Sequence, residues 1–313
     1  MNNKQNTLIT KRDIEEILNY YGPIGNGGLP LEVNNLELYQ KAFVHESYFL
    51  ACKANYVEPK MSELYLPDES SERLEYLGDN TMKYIMGRYL YERFPMEREG
   101  FLTTLKIKLE KTKTLHRFAV ELGFSKWLLL SEEVEAHTIL SPESGRNTRS
   151  FYENAFESFI GSLVLDNSEL GVVYADRFVR NVIENNIDFS ELITKNDNFK
   201  DSIQRYFQSN KWKTPEYIQL SESGPGYRRY FTRVVFVDRV LLDQSTLVYE
   251  RISKYSTETL DSFKANVEVY RKLFDKISGG YFVLGIGTAS KVVDAEQLAG
   301  KVALLNFGLP LDY

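Results

Sequence analysis

The N-terminal part of the chain spaces its apolar residues as an α-helix does. Ile14, Ile17 and Leu18 set the pattern, in which an apolar residue recurs every three to four positions and so falls on one helix face. No alternation of apolar and polar residues, which would indicate strands, occurs before about Asn186. The segments with helical spacing are 11–50, which a Gly/Pro-rich break interrupts, then Glu72 to near Pro95, 101–123 and 151–166. We therefore predict that this part is all-α.

Beyond Lys195 the pattern changes and predicts a small sheet with helices. Two strand-like runs flank residues 223–226, whose Ser-Gly-Pro-Gly sequence is typical of a turn. A third short run leads through Gly285 and Gly287 into the last helix. The predicted elements are a helix at 199–209, strands at 216–221, 230–237 and 281–284, and a helix that begins near Ser290. The order α-β-β-β-α predicts an α+β domain.

The two patterns divide the chain into predicted domains at residues 1–190 and 196–313. A length of 313 residues suits two domains, and an apolar content of 43% is enough for two cores. Residues 239–279, called the insertion below, separate the second and third predicted strands and carry an apolar seam that predicts a further helix. The seam consists of Leu260, Phe263, Val267, Tyr270, Phe274 and Ile277. Packing on its own domain is one interpretation of the seam, and a role in dimer contact or substrate choice is the other.

Composition narrows the classes of protein that the chain can belong to. No apolar run approaches the ~18 residues of a membrane span, and the polar N-terminus lacks the hydrophobic centre of a secretory signal. The single cysteine, Cys52, cannot form an internal disulfide. We therefore expect a soluble intracellular protein, cytoplasmic or nuclear, with no membrane partner.

The net charge of −6 argues, by itself, against a nucleic-acid partner, because phosphate backbones attract basic residues. The charge is unevenly distributed, however. From Asn196 onward 16 Lys and Arg stand against 14 Asp and Glu, whereas 22 stand against 30 before it. The acidic excess therefore lies in the first domain, where a metal site would use carboxylates, and the second domain is mildly basic.

The first chemical signal is a set of three acidic residues on one side of a helix. Glu72, Glu75 and Asp79 are spaced i, i+3 and i+7 and share a face. Like charges at this spacing repel by roughly a few tenths of a kcal/mol per pair. A bound divalent cation would reverse that repulsion, whereas a solvated acidic face is the ordinary alternative.

A second cluster favours the metal site. On the helix predicted at 151–166, Asn154 and Glu157 share one face, while Phe156 and Phe159 fall on the apolar side. Oxygen ligands from two helices can meet in this way. Mg²⁺ prefers carboxylate and carbonyl oxygens, keeps several of its waters and can activate one of them for attack on phosphorus.

Four motifs along the chain resemble those of the ribonuclease III family. Residues 72–79, ERLEYLGD, are similar to the family's signature motif, and residues 154–166 are similar to its second acidic helix. Residues 41–48 and 98–102 also agree with the family, and all four motifs follow the family's order. The resemblance covers residues 36–166 and implies an all-α nuclease domain.

The resemblance implies a divalent-metal-dependent endoribonuclease that cleaves double-stranded RNA and leaves 5′-phosphate and 3′-hydroxyl ends. It also implies Mg²⁺ as the cofactor, with Mn²⁺ as a substitute, and a homodimer through the nuclease domain. The site residues it implies are the catalytic pair Asp79 and Glu157, the metal ligands Glu75, Asp79, Asn154 and Glu157, and the secondary acidic residues Glu72 and Glu99. Ribosomal RNA maturation, small-RNA production and suppression of RNA silencing are all roles within the family, and the sequence does not choose among them.

Asn154 departs from the family's pattern, which has an aspartate at this position. An amide oxygen can still bind Mg²⁺, but it carries no charge, so metal affinity should fall. Glu153 is a poor substitute, because one residue along a helix turns it about 100° away. The alternative to an enzyme is therefore a catalytically weakened or inactive RNA-binding or scaffold protein of the same fold. The second domain disfavours a third possibility, a hydrolase of small phosphates.

The second domain resembles the double-stranded-RNA-binding domain over residues 198–238 and 281–307. Such domains recognise a duplex by its shape and by 2′-hydroxyl and phosphate contacts across about 16 base pairs. The contact residues that the resemblance implies are Gln204, Arg205 and Gln208 on the first helix, Tyr227 and Arg228 in the turn, and Lys291 at the last helix. Tyr227 replaces the family's histidine, and Lys291 lacks the family's second lysine. Phosphate contact should be weaker for that reason, and a domain for protein contact is the alternative.

Overall fold

Two separate sets of contacts divide the chain into two units, Met1–Leu192 and Ile193–Tyr313. The structure is a computed structural model that describes residues 3–54, 69–140, 143–194, 198–224, 229–241, 247–263 and 280–311. The helices of the N-terminal part are α1 (Lys11–Leu18), α2 (Leu36–Ala42), α3 (Glu46–Ala54), α4 (Glu72–Arg93), α5 (Glu99–Leu109), α6 (Thr112–Glu121), α7 (Glu132–Ala136), α8 (Arg149–Asp166), α9 (Gly171–Asn186) and α10 (Phe189–Thr194). The prediction that this part is all-α is confirmed.

Side-chain caps and extended residues set the ends of the helices. These ends divide two of the segments that the sequence pattern predicts as helical. The Thr10 hydroxyl accepts a hydrogen bond from the backbone N–H of Asp13, and the Asp13 carboxylate accepts one from the N–H of Thr10, so that α1 begins with a capping box. Asn35 caps α2 in a similar way. Lys111 has an extended backbone between α5 and α6. Residues 11–50 therefore hold three helices, and residues 101–123 hold two.

Helices α4 and α8 cross at two glycines, and this crossing positions the acidic residues. A methyl group on Gly78 would collide with the backbone of Glu157, and one on Gly161 would collide with the backbone of Leu74. The pairing of 78 with 157 and of 74 with 161 shows that the two helices run in opposite directions. Because neither glycine carries a side chain, the backbones approach closely enough to bring the acidic faces of both helices together.

Aromatic packing fixes α8 in the core of the N-terminal unit. Phe156 and Phe159 are fully buried on α8. Their rings contact Phe124 and Phe178 at centroid distances of 5.3 to 6.5 Å. Such tilted ring pairs add to the hydrophobic stabilisation of the core. The apolar face of α8 is therefore held inside the unit, while the face with Glu153, Asn154 and Glu157 meets α4.

The C-terminal unit is a three-stranded antiparallel sheet packed against helices. Its elements are α11 (Phe199–Ser209), β1 (Glu216–Ser223), β2 (Tyr230–Asp238), α12 (Leu247–Phe263), β3 (Tyr281–Ala289) and α13 (Val292–Phe307). The strands lie in the order β1-β2-β3. Ile203 and Phe207 of α11 pack with Ala299 of α13 against Val235 and Leu284 of the sheet. The predicted α-β-β-β-α order is confirmed, with α12 as an addition inside the insertion.

Two glycines that the pattern placed at the exit from the third strand lie inside it. Strand β3 continues through Gly285 and Gly287 to Ala289, so the predicted end at 284 was too early. A methyl group on Gly285 or Gly287 would collide with the backbone carbonyl of Ala299 or Ala295, respectively. The glycines are present because α13 packs directly on the strand's backbone, which a periodicity pattern does not reveal.

Helix α12, the described part of the insertion, packs on its own domain beside strand β3. The backbone N–H of Val283 donates a buried hydrogen bond of 3.0 Å to the Ser256 hydroxyl. Tyr255 and Leu260 pack with Val283 and Val234 on the second face of the sheet. Because an uncovered edge strand invites pairing with other chains, α12 protects β3. The rest of the predicted seam beyond Leu260 lies outside the residues whose side chains the structure describes, and a role in dimer contact or substrate choice stays a hypothesis.

None of the helices in the described parts of the chain combines the length and the apolar character that a membrane crossing requires.

Candidate active site

The crossing of α4 and α8 brings three of the predicted site residues into one acidic cluster. Glu75 and Asp79 lie on α4, and Glu157 lies on α8 directly beside Gly78. Glu157 is only 8% exposed. The charges of Glu75 and Asp79 both act on Glu157, and the charge of Asp79 also acts on Glu75. We define the acidic cluster as Glu72, Glu75, Asp79, Glu153 and Glu157.

Burial and repulsion oppose the ionisation of Glu157. Burial is the largest influence, followed by the charges of Asp79, Glu153 and Glu75, and together they raise the pKa of Glu157 from 4.5 to about 8. The ammonium of Lys83 lowers the pKa of Glu157, but it does not offset the other influences. At neutral pH this carboxyl group therefore holds its proton unless a further positive charge is supplied.

Glu75 has a similar environment. Burial raises the pKa of Glu75, and the charges of Glu72, Glu153 and Asp79 raise it further. The side chain of Asn154 hydrogen-bonds to Glu75 and lowers its pKa in part. Because a carboxylate only accepts hydrogen bonds, the Asn154 amide group is the donor. Asn154 therefore faces Glu75, and in this arrangement its side chain supplies an N–H group rather than an oxygen.

Asp79 differs from the other two carboxylates because it has a basic partner. The Lys83 Nζ donates a hydrogen bond of 2.6 Å to Asp79 Oδ2. The two residues lie four positions apart on α4, where such pairs form readily. One of the two predicted catalytic acids is thus engaged by a lysine that the reading of the sequence did not single out.

Glu153 and Lys83 belong to this site, and both were missed from the sequence. Helix geometry turns Glu153 about 100° away from Asn154, yet the charge of Glu153 raises the pKa of both Glu75 and Glu157. The signal that would have found them is the four-residue spacing. It places Glu153 on the same face of α8 as Glu157, and Lys83 on the same face of α4 as Asp79.

The two predicted secondary acids lie in different places. Glu72 accepts a hydrogen bond of 3.1 Å from the Ser70 hydroxyl, and its charge acts on Glu75. Glu99 lies in the first turn of α5, where the Thr103 hydroxyl donates to it at 2.8 Å. It lines a groove of about 420 Å³ with residues from the C-terminal half of α4, Gly87 among them. No interaction described for Glu99 in the structure joins it to the acidic cluster.

The donors of the cluster fit a hard divalent cation in their chemistry. Carboxylate oxygens and an amide oxygen are the ligands that Mg²⁺ takes, and a dication would relieve the repulsion that raises the pKa of Glu157 and Glu75. The arrangement of these donors around a single cation is incomplete in the structure. Across the described ranges, no three or more His, Cys, Asp and Glu side chains are grouped as the ligands of one metal ion. Asp79 is turned to Lys83, and the amide group of Asn154 is turned to Glu75.

The predicted RNA contacts of the C-terminal unit are partly described. Gln204, Arg205 and Gln208 are exposed on α11, on the side away from the buried residues Ile203 and Phe207. Arg205 forms an ion pair of 2.7 Å with Asp201 on the same helix.

At the start of α13, Lys291 is exposed in the N-cap position. Tyr227 and Arg228, the two predicted contacts in the turn, lie outside the described residues. Four of the six predicted contacts are therefore placed by the structure, and all four are exposed on two helices of one unit.

Comparison with known proteins gives consistent results. The family model described as "Ribonuclease III domain" matches residues 72–168, which include the whole acidic cluster. The "Probable ribonuclease 3" of Acanthamoeba polyphaga mimivirus is 31% identical over 242 residues, which are 77% of this chain and 43% of that protein. The "Ribonuclease 3" of Latilactobacillus sakei is 34% identical over 212 residues, which are 67% of this chain and 83% of that protein.

Among solved structures, the nuclease domain of ribonuclease III from Campylobacter jejuni is 24% identical, and the match covers 57% of this chain and 99% of that one with a TM-score of 0.43. The chain spans less than half the length of the mimivirus relative but most of the length of the bacterial one.

Proposed function

The chain belongs to the ribonuclease III family, and from that premise we propose that it is an endoribonuclease that cleaves double-stranded RNA with the help of a divalent cation. The observation that carries the proposal is the acidic cluster itself. Two helices from the region that matches the family bring the buried carboxyl group of Glu157 together with partly buried carboxylates, and the charges of this cluster are not fully compensated by basic side chains. Unfavourable buried charge of this kind is typical of functional sites.

The proposed cofactor is Mg²⁺, with Mn²⁺ as a substitute, and its proposed ligands are Glu75, Asp79, Glu157 and the side-chain oxygen of Asn154. The bound cation would activate a water molecule and stabilise the charge that develops on the phosphate. Attack of that water on the phosphodiester would leave 5′-phosphate and 3′-hydroxyl ends. Glu157 must release its proton to become a ligand, so cation binding and proton release are coupled in this proposal. Glu72 and Glu99 are proposed to act at the edge of the site.

The C-terminal unit is proposed to hold the duplex. Its exposed Gln204, Gln208 and Lys291 are side chains suited to 2′-hydroxyl and phosphate groups, which are what a double-stranded RNA presents across its minor groove. Arg205 is already paired with Asp201, so it would have to exchange that partner for a phosphate. Tyr227 and Arg228 are proposed to contribute from the turn.

A homodimer through the nuclease domain is part of the proposal. Tyr76, Tyr84 and Tyr91 of α4 are 75%, 62% and 72% exposed, and they lie eight and seven residues apart on the helix that carries the acidic cluster. Large exposed aromatic rings at helical spacing are typical of an interface. A second copy of the chain would cover this surface and place two acidic clusters in one assembly.

Asn154 favours a second candidate function, an RNA-binding scaffold of the same fold. Its amide group donates to Glu75, and Lys83 holds Asp79. Three of the four proposed ligands, Glu75, Asp79 and Asn154, therefore already have a partner within the protein, which lowers the gain from binding a cation. In this second proposal the protein binds duplex RNA and does not cut it.

A cleavage assay separates the two candidates. We expect the purified chain to cut a long RNA duplex in Mg²⁺ or Mn²⁺, and we expect Glu157→Gln to slow cutting by at least about a hundredfold, which corresponds to about 2.7 kcal/mol of barrier. The matched control is Glu169→Gln, an exposed glutamate just beyond α8, which should cut at the original rate. If the chain binds the duplex uncut and Asn154→Asp restores cutting, the scaffold is the correct function.

A further inference from the structure

An ammonium group lies among the carboxylates of the acidic cluster. The Lys83 Nζ donates to Asp79 Oδ2 at 2.6 Å. The charges of two other carboxylates also act on it, those of Glu157 on α8 and of Glu110 at the C-terminal end of α5. Charged groups from three helices thus act on one lysine, whereas a lysine on an ordinary solvated helix face interacts mainly with its own helix.

Lys83 lies on the solvent side of this arrangement. Its side chain is 47% exposed, that of Asp79 is 29% exposed, and Glu157 is almost completely buried. The ammonium of Lys83 is therefore more accessible to an approaching polyanion than the carboxylates of Asp79 and Glu157 are. Glu110 does not hold Lys83 strongly, because its carboxylate lies within 3.4 Å of Lys106.

The ion pair with Asp79 is easily exchanged. Partly exposed pairs four residues apart on a helix change an equilibrium by only about a factor of two. A divalent cation on the same carboxylate carries twice the charge of the ammonium and repels it. The four-carbon stem of lysine lets the ammonium move several ångströms without a change in the backbone. Once released, it stays in the mouth of the site because Lys83 is anchored on α4.

We propose that Lys83 is a phosphate ligand that Asp79 holds in reserve: when a divalent cation takes the Asp79 carboxylate, the released ammonium binds a non-bridging oxygen of the RNA backbone beside the cluster. This inference rests on the proposed function, since it requires a cation at the acidic cluster and a duplex RNA substrate. It assigns to Lys83 two coupled effects, competition with the cation and a contact with RNA that exists only when the cation is bound.

The first effect is tested by cation binding without RNA, using Mn²⁺ and titration calorimetry. Replacing Lys83 by methionine keeps most of the stem and removes the competing charge, so we expect Lys83→Met to bind Mn²⁺ about two- to fivefold more tightly than the original chain. The matched control is Arg88→Met, which removes a similar pair four residues apart on the same helix, Arg88 with Glu92 at 2.8 Å. Unchanged or weaker Mn²⁺ binding by Lys83→Met, or an equal gain in Arg88→Met, would overturn the inference.

The second effect is tested by duplex binding as a function of salt. With Ca²⁺ present and the duplex verified as intact, we expect Lys83→Met to lower the slope of log affinity against log salt by roughly one unit, the loss of one phosphate contact. With EDTA instead, the two proteins should have the same slope, because Asp79 then holds the ammonium. Equal slopes in Ca²⁺ would contradict the proposed contact.

The two tests distinguish a failure of the proposed function from a failure of this inference alone. If the original chain binds no Mn²⁺, the proposed metal site and the inference fall together. If it binds Mn²⁺ and cuts RNA while Lys83→Met behaves as the original chain in both titrations, only the inference is wrong.

Discussion

Two buried glutamates, one in each unit, have the same exposure and opposite ionisation. Glu157 and Glu296 are each 8% exposed. Burial alone would raise the pKa of Glu296, but hydrogen bonds from Lys200 at 2.5 Å and Arg233 at 2.6 Å outweigh it, so the pKa of Glu296 is lowered. In Glu157 the charges of Asp79 and Glu153 add to the effect of burial, and its pKa rises to about 8.

The difference teaches that partners, and not burial, separate a structural carboxylate from a functional one. Glu135, which is 9% exposed, behaves as Glu296 does. Burial would raise the pKa of Glu135, but hydrogen bonds from Arg146 and Asn3 outweigh burial, so this pKa is lowered. These two carboxylates are neutralised by the protein's own cations and hold elements together. Glu157 is not neutralised in this way, and its arrangement is stable only at a cost that an external cation would relieve.

Neutralising each glutamate should therefore affect stability in opposite ways, and this is the largest effect we expect. Glu296→Gln leaves Arg233, whose side chain is 17% exposed, beside Lys200 without a counter-charge. We expect a loss of about 2–3 kcal/mol in the C-terminal unit, below the usual upper range for a broken buried pair because Lys200 is 41% exposed. Glu157→Gln should leave the stability of the N-terminal unit unchanged or raise it.

Amide hydrogen exchange measured separately for β1–β3 and for α4 and α8 is the suitable measurement, since it reports on each unit by itself. Glu222→Gln is the control, because it breaks only the exposed pair of Glu222 with Arg229 and should change exchange little. A loss of protection in α8 on Glu157→Gln, comparable to that in the sheet on Glu296→Gln, would contradict the contrast.

The same comparison predicts opposite pH dependence for the two units in EDTA. The pKa of Glu157 is raised from 4.5 to about 8 on folding, so the folded N-terminal unit binds a proton that the unfolded chain releases, and its stability falls as pH rises from about 4.5 to 8. The pKa of Glu296 is lowered, so its contribution is present above about 4.5 and is lost as pH falls through the folded pKa.

We expect the loss in the N-terminal unit to be nearly complete by pH 8, smaller in Glu157→Gln, and reversed by added Mg²⁺. This loss of stability can be measured by urea unfolding at a series of pH values, with hydrogen exchange of α8 as the readout. A profile that is flat from pH 5 to 8 in the original chain would show that the cluster is already neutralised.

The helix faces that carry the acidic cluster could be predicted from the sequence of the N-terminal unit. The spacing of Glu72, Glu75 and Asp79, and that of Asn154 and Glu157, placed these residues on the correct faces, because helix periodicity is a local property. What the spacing does not contain is the distance between the helices. That distance depends on the contact of Gly78 and Gly161 with the opposite backbone, which only the three-dimensional packing reveals.

The pairing of charges was harder to predict than their positions. Lys83 could have been identified from its four-residue spacing to Asp79, and Glu153 from its spacing to Glu157. The partners of Glu296 could not, since Lys200 and Arg233 are 96 and 63 residues away along the chain. Local pairs follow from helix geometry, whereas distant pairs depend on the sheet and helices that bring them together.

Asn154 provides the smallest test and the one closest to the functional question. Its amide group donates to Glu75 and partly lowers the pKa of that carboxyl. Asn154→Asp removes the donor and adds a negative charge to the cluster, so we expect a loss of about 0.5–1 kcal/mol in EDTA, the usual contribution of one hydrogen bond. Added Mn²⁺ should more than restore the loss, because the new carboxylate is a charged ligand.

The control for this change is Asn80→Asp, which adds the same charge to α4 and removes an exposed amide bond to the Tyr76 carbonyl, at a position turned about 100° around the helix from Asp79. Unfolding with and without Mn²⁺ compares the three proteins. A cation-dependent gain in stability that is larger in Asn154→Asp than in the original chain or in Asn80→Asp would show that Asn154 lies in the cation's coordination sphere. An equal gain in all three would instead mean that Asn154 only supports Glu75, and that the site uses carboxylates from Glu75, Asp79 and Glu157 alone.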